Sequence, residues 1–298
     1  MTEYYLTEEA IEEIESDFVQ NYNTEYWYSK IYTMKRILED ADDFCDFLSF
    51  EFEDTDERDE MVEELEMYAT SELVYTFYHT GEALFALMMA SQSRVPWLVL
   101  REYRSYQLWD LAESILDIED EEEQIDAVGA RFYPTLPPNE TLNNSCREIY
   151  QYLSKMFFHY QNNEVYNSYK HGLRLMADEE YMTVVDGETD EEKATLGGYA
   201  HIFLEDEEID TDDGSIKQLI SVTRAYDPDL YRGMAEANLE LIEHILRMIE
   251  IQHENLEGEL SVPSYPENSL TSVFETDSQS FFEFREPYDV GEHVIVVE

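Results

Sequence analysis

The chain has 298 residues, of which 70 are Asp or Glu and 18 are Lys or Arg, giving a formal net charge of −52. A charge of this size opposes compaction through self-repulsion and disfavours duplex DNA or an anionic membrane as a partner. Disorder fits badly on other grounds: 43% hydrophobic and 14% aromatic residues can supply a core, and acidic disordered chains are poor in aromatics.

The first 118 residues read as helices. Thr7 is placed to cap a helix whose first turn holds Glu8 and Glu9, with Ile11, Ile14 and Phe18 on one face. Ile31, Met34, Leu38, Ala41, Cys45, Leu48 and Phe52 keep three- and four-residue spacing and predict a second helix. A third runs from Met61 through Leu73 and Phe77 to Met88, with a break expected at Gly81. Pro96 suits the first turn of a fourth, over 96–116. The acidic run Glu119 to Glu123, followed by Pro134, Pro137 and Pro138, predicts a connection over 119–141. A long helix is expected from Leu142 to about Met176. Strands are then predicted at Tyr181–Val185, Gly198–Leu204 and Ile216–Thr223, with Glu205 to Asp213 as a hydrated acidic loop. Asp227 and Pro228 start a last long helix, which Gly258 ends. The tail, 259–298, alternates weakly around Ser272–Glu275, Ser280–Phe284 and Val294–Val297 and reads as short β segments or a mobile end.

The fold class is therefore mainly α: a helical bundle with a small antiparallel β insertion before its last long helix and a short β segment at the C-terminal end. The corresponding parts are 1–118, 119–141, 142–258 and 259–298. The longest apolar stretch, Ala83 to Ala90, is too short to span a bilayer. The first ten residues show no secretion signal, so the cytoplasm is the expected location. Cys45 and Cys146 are expected to be buried thiols rather than a disulfide.

Acid is spread evenly, between 9 and 13 residues in each successive fifty, and Lys is suppressed to 6 against 12 Arg. This composition resembles that of proteins from salt-in halophilic archaea. Whole-surface salt adaptation predicts an even spread, whereas a nucleic-acid mimic needs its acid gathered on one face. Two stretches depart from it. Thr141 to Ala177 holds two acids against Arg147, Lys155, Lys170 and Arg174, and Ala83 to Trp109 holds only Glu102 beside Arg94, Arg101 and Arg104. Within the long helix a face that begins with Ile149, Leu153 and Met156 turns polar at Asn163, Asn167, Lys170 and Arg174. Such a stripe either lines an anion pocket with Arg101 and Arg104 opposite, or faces solvent while the buried face drifts to Phe158, Val165, Tyr169 and Leu173.

Asn167 and His171 lie four apart and share a helix face, so the amide can orient the imidazole. The stretch Asn167-Ser168-Tyr169-Lys170-His171-Gly172 resembles an Asn-x-x-Lys-His-Gly signature of helical-bundle proteins related to the HEPN superfamily. The resemblance implies a binding or regulatory role in a defence or toxin–antitoxin setting. Its enzyme alternative is a metal-independent ribonuclease, with a His as acid–base and Arg or Lys on the phosphate. HEPN ribonucleases use Arg-x(4–6)-His; that Arg is missing ahead of His171, and one such pair, Arg247 and His253, occurs elsewhere. The candidate catalytic residues are thus His171, Arg247 and His253, and the candidate binding residues Asn167, Lys170, His171, Arg174, Arg101 and Arg104. An acidic decoy for a nucleic-acid-binding protein is the third reading. No zinc spacing, EF-hand, phosphate loop or nucleophile elbow is present, so no metal and no cofactor is expected. The expected partner is a protein or a small anion, with homodimers among the candidates.

Overall fold

The computed structural model describes residues 4–48, 55–93, 95–161, 175–185, 192–211, 214–254, 262–275 and 281–287. In chain order these form α1 (Glu8–Asn21), α2 (Glu25–Glu39), α3 (Ala41–Leu48), α4 (Thr55–Ala90), α5 (Pro96–Glu102), α6 (Ser105–Leu116), α7 (Glu121–Phe132) and α8 (Glu140–Gln161). Then come β1 (Leu175–Val185), β2 (Glu192–Thr211), β3 (Gly214–Tyr226), α9 (Pro228–Glu254), a 3-10 turn (Thr271–Phe274) and β4 (Phe281–Pro287). The fold is mainly α, with a small antiparallel sheet before its last long helix. Among the described residues no helix is long and apolar enough to cross a membrane.

The chain divides into two compact units. The first comprises Met1–Lys35, Tyr75–Asn162 and Asp229–Thr276. Its centre is aromatic: Trp109 of α6 lies 5.3 Å from Phe157 and 5.5 Å from Tyr160 of α8, and Phe85 of α4 lies 5.8 Å from both. Edge-on and tilted rings of this kind add about 1 kcal/mol per pair to the area they bury. A polar knot ties α4, α8 and α9 inside this core. Tyr152 Oη lies 2.8 Å from both the Met234 carbonyl and Asn238 Oδ1, while Asn238 Nδ2 donates to Thr80 Oγ1 at 3.2 Å. Every group in the knot is satisfied, which is what makes burying it tolerable.

The second unit comprises Arg36–Val74, Asn163–Pro228 and Asp277–Glu298. Its sheet has the order β1-β2-β3-β4, with every pairing antiparallel. From Val222 to Tyr226 every residue of β3 is buried, so both faces of that stretch are covered. Arg58 of α4 reaches back to Asp42 and Asp46 of α3, the latter at 3.1 Å.

The structure departs from the sequence expectations at several points. The acidic run is not a loop: Asp120 accepts from the amides of Glu122 and Glu123 and caps α7, so the acids sit where the helix dipole favours them. α4 continues through Gly81, because only a hydrogen there admits the Tyr160 ring; an added Cβ would lie 3.0 Å from Tyr160 Cδ2. The predicted helix over 31–52 breaks at Asp40, and that over 96–116 breaks at Tyr103–Arg104. The helix expected to reach Met176 has given way to β1 by Leu175. Glu205–Thr211 is strand rather than loop, held by pairing with Gly214–Ile220. Ser272–Glu275, expected to be extended, contains the 3-10 turn, and the C-terminal strand β4 joins the inserted sheet on β3. Val294–Val297 lies outside the described residues.

Candidate functional site

Of the residues singled out from the sequence, Asn167, Lys170, His171 and Arg174 lie outside the described residues. Arg101 lies in the last turn of α5, exposed, with Nε 3.6 Å from Glu102. Arg104 is exposed just ahead of α6, where its backbone N–H donates to Gln107 Oε1 at 2.7 Å. Arg247 is exposed on α9, and its guanidinium is held by Glu250, three residues on. His253 lies in the last turn of the same helix. The helices predicted over 96–116 and from 142 do meet, since α6 and α8 share the Trp109–Phe157–Tyr160 cluster, but they meet through rings rather than bases.

Among the described residues His201 and His244 are buried, and His79 and His159 are half-buried. His201 on β2 faces Arg224 across the sheet register, and its Nε2 lies 2.7 Å from Ser71 Oγ. That is the length of a nucleophile–base contact. Burial, and then the Arg224 guanidinium, push the imidazole down to about 3. Ser71 is 9% exposed and His201 2%, so the pair is part of the core. Burial also lowers His159, which stacks on Phe274 at 6.0 Å. Cys45 and Cys146 are buried free thiols, and burial pushes Cys146 up to about 12, which leaves it inert. Among the described residues no three His, Cys, Asp or Glu are placed to hold a metal ion.

An opening in the first unit lies between the start of α8 and the segment 262–270. Asn139 caps α8 by accepting from the Leu142 amide at 3.1 Å. The helix then presents Ser145 and Glu148 inward. Ser145 Oγ accepts the Tyr265 amide at 2.9 Å. Glu148, 2% exposed, accepts from the amides of Asn268, Leu270 and Thr271 and from the Thr271 hydroxyl, all within 3.0 Å. A buried carboxylate is costly unless its lone pairs are filled; here they cap the 3-10 turn. Tyr133 donates to the Pro263 carbonyl at 3.0 Å, and Tyr265 Oη lies 3.3 Å from His244 Nδ1. The segment is thus strapped to α7, α8 and α9. A cavity of about 530 Å³ remains beside it, lined by Asn144, Arg147, Glu148, Gln151, Ser264 and Glu267 among others. Arg147 is engaged by Glu121 and Asn144. The wall therefore offers carboxamides, hydroxyls and one shared guanidinium rather than a concentrated charge. The acid-poor composition of 141–177 pointed to this helix, but at its other end. Nothing local in the sequence marks 262–270 as a wall.

No protein-family model, curated protein or solved structure matches this chain.

Proposed function

We propose that the protein is a salt-adapted, cytoplasmic binding or regulatory protein of HEPN-like type that engages a partner chain at the cleft between α8 and the strap. The observation that carries this reading is the cleft itself. Asn144 and Gln151 are seven residues apart, two turns along one face, about 10 Å. Each carboxamide can offer a donor and an acceptor, the complement of a peptide group. A small anion fits less well, because Glu267 lines the same cavity and Arg147 already has a carboxylate partner. The ribonuclease alternative is less favoured because Glu250 occupies the Arg247 guanidinium. The decoy is less favoured because exposed carboxylates occur on α1, α3, α4, α6 and α7 alike.

The test is photo-crosslinking in the cells that make the protein. A benzophenone side chain at Gln151 is expected to capture one discrete protein, and the same group at exposed Glu113 none. Absence of an adduct at Gln151 would remove the binding site. RNA cleavage by the purified protein in molar KCl, lost in His171→Ala or His253→Ala, would replace the reading with the ribonuclease.

A further inference from the structure

A second cleft in the first unit has a different chemistry. Tyr28 and Tyr32 lie one turn apart on α2, with rings stacked at 6.3 Å and an interplanar angle of 20°. Tyr32 is 58% exposed, so this is an open aromatic wall and not a core pair. Facing it, α9 carries Glu236 and Glu240, and Leu270 closes part of the floor of a cavity of about 360 Å³. The phenol of Tyr28 is pushed up to about 12, first by burial and then by Glu243, Glu240, Tyr32 and Glu236, so the ring stands close to the carboxylate row. Burial and the neighbouring Glu243 also raise the Glu240 carboxyl.

What distinguishes this place is the missing cation. The described arginines Arg58, Arg147, Arg232 and Arg247 each have carboxylate partners. No basic side chain lines the tyrosine cleft. A bare metal ion does not fit either, since among the described residues no three acids converge on one point. The complement of flat aromatic faces beside separated carboxylates is a planar organic cation. A guanidinium is weakly hydrated, stacks on aromatic rings and forks onto a carboxylate with two parallel hydrogen bonds. These contacts persist in molar salt, where the screening length is about 3 Å and simple charge attraction fails. Potassium competes for the carboxylates but gains little from the ring faces.

We propose that this tyrosine–glutamate cleft binds a guanidinium group, carried either by an arginine of the partner chain or by a free guanidino compound. The proposal deepens the binding-protein reading and rests on it for the first of those sources.

The test titrates the full-length protein in about 2 M KCl with N-acetyl-arginine amide, N-acetyl-lysine amide and agmatine, followed by calorimetry or chemical-shift changes. Saturable binding of the arginine amide is expected, about tenfold or more tighter than the lysine amide. Tyr32→Leu and Glu240→Gln should each weaken it about tenfold, while Glu122→Gln on α7 leaves it unchanged; circular dichroism confirms that each variant is folded. Agmatine binding as tightly as the amide assigns the site to a free compound; weaker agmatine binding assigns it to an arginine in a chain. Equal affinity for lysine and arginine, equal weakening by Glu122→Gln, or no saturation would each overturn the proposal. A surviving adduct at Gln151 alongside such a failure would leave the α8 cleft intact and discard only the guanidinium site.

Discussion

Glu148 shows how one side chain can hold a distant segment. Its carboxylate takes four hydrogen bonds from residues about 120 positions later, and it is buried. Replacing it with Ala leaves three backbone donors without an acceptor, and such orphaned groups cost about 1–3 kcal/mol each before relaxation. Glu148→Ala should therefore lose about 3 kcal/mol by urea unfolding at fixed high KCl, and Glu148→Gln, which keeps one acceptor oxygen, clearly less. Equal losses would mean the carboxylate is not the clamp. His244 makes a pH-dependent contribution to the same strap. Phe132, Tyr133 and Tyr265 wall it in, and burial lowers the imidazole to about 4, with the Phe132 backbone opposing the shift. The ring is neutral in the fold, whereas the unfolded chain takes up a proton near 6.5. Stability from this group is full above pH 6.5 and falls as pH drops toward 4, by about 1.4 kcal/mol per unit. The stability gap between wild type and His244→Gln should therefore shrink by about 2 kcal/mol between pH 7 and pH 5. A gap that does not move would mean the ring is not held neutral.

At the scale of elements, periodicity was a good guide wherever apolar residues repeat within one helix. Thr7 caps α1 by accepting the Ala10 amide at 3.2 Å, and Pro96 and Pro228 open α5 and α9 as their chemistry suggests. The misreadings have more than one cause: at Gly81 a contact distant in sequence overruled a local signal, whereas at α7 a local cap was missed. Ile37, Ala41 and Cys45 stay buried on both sides of Asp40, so an apolar face continues where the helix does not. Gly81 looked like a breaker but is a notch for Tyr160. The acids of its first turn hid α7, whose inward face is carried by the buried Val128 and Phe132. The candidate site was half legible: low acid content marked α8, but the wall that completes the cleft is set by Ser145 and Glu148 gripping residues 265–271. The cap of α7 is open to a direct check. Asp120→Ala removes the acceptor for two amides and should cost about 1 kcal/mol, whereas Glu122→Ala, in the same turn, should cost less because the Glu122 carboxylate accepts neither. Equal effects from the two would mean that the dipole, and not the cap, carries the stabilisation.

For the whole molecule, the charge of −52 sets the conditions under which these contacts can form. The ion pairs described above are few and mostly exposed, and pairs of that kind contribute at most about 1 kcal/mol. Most of the 70 acidic residues have no cation to meet, because the chain has only 18. At 0.1 M salt the screening length is about 10 Å, longer than the spacing of acids one helical turn apart, such as Glu9, Glu12 and Glu13 of α1; at 1 M it is about 3 Å and that repulsion is largely gone. The folded state, which gathers these charges, gains more from screening than the expanded chain does. Far-ultraviolet circular dichroism during dialysis from molar KCl to about 0.1 M should therefore show loss of cooperative helical structure, with the thermal midpoint falling throughout. Because the argument rests on screening, NaCl and KCl at equal ionic strength should protect alike. A midpoint that is flat, or that rises as salt is removed, would sink the salt-adaptation reading and reopen the acidic surface as a docking face for a basic partner.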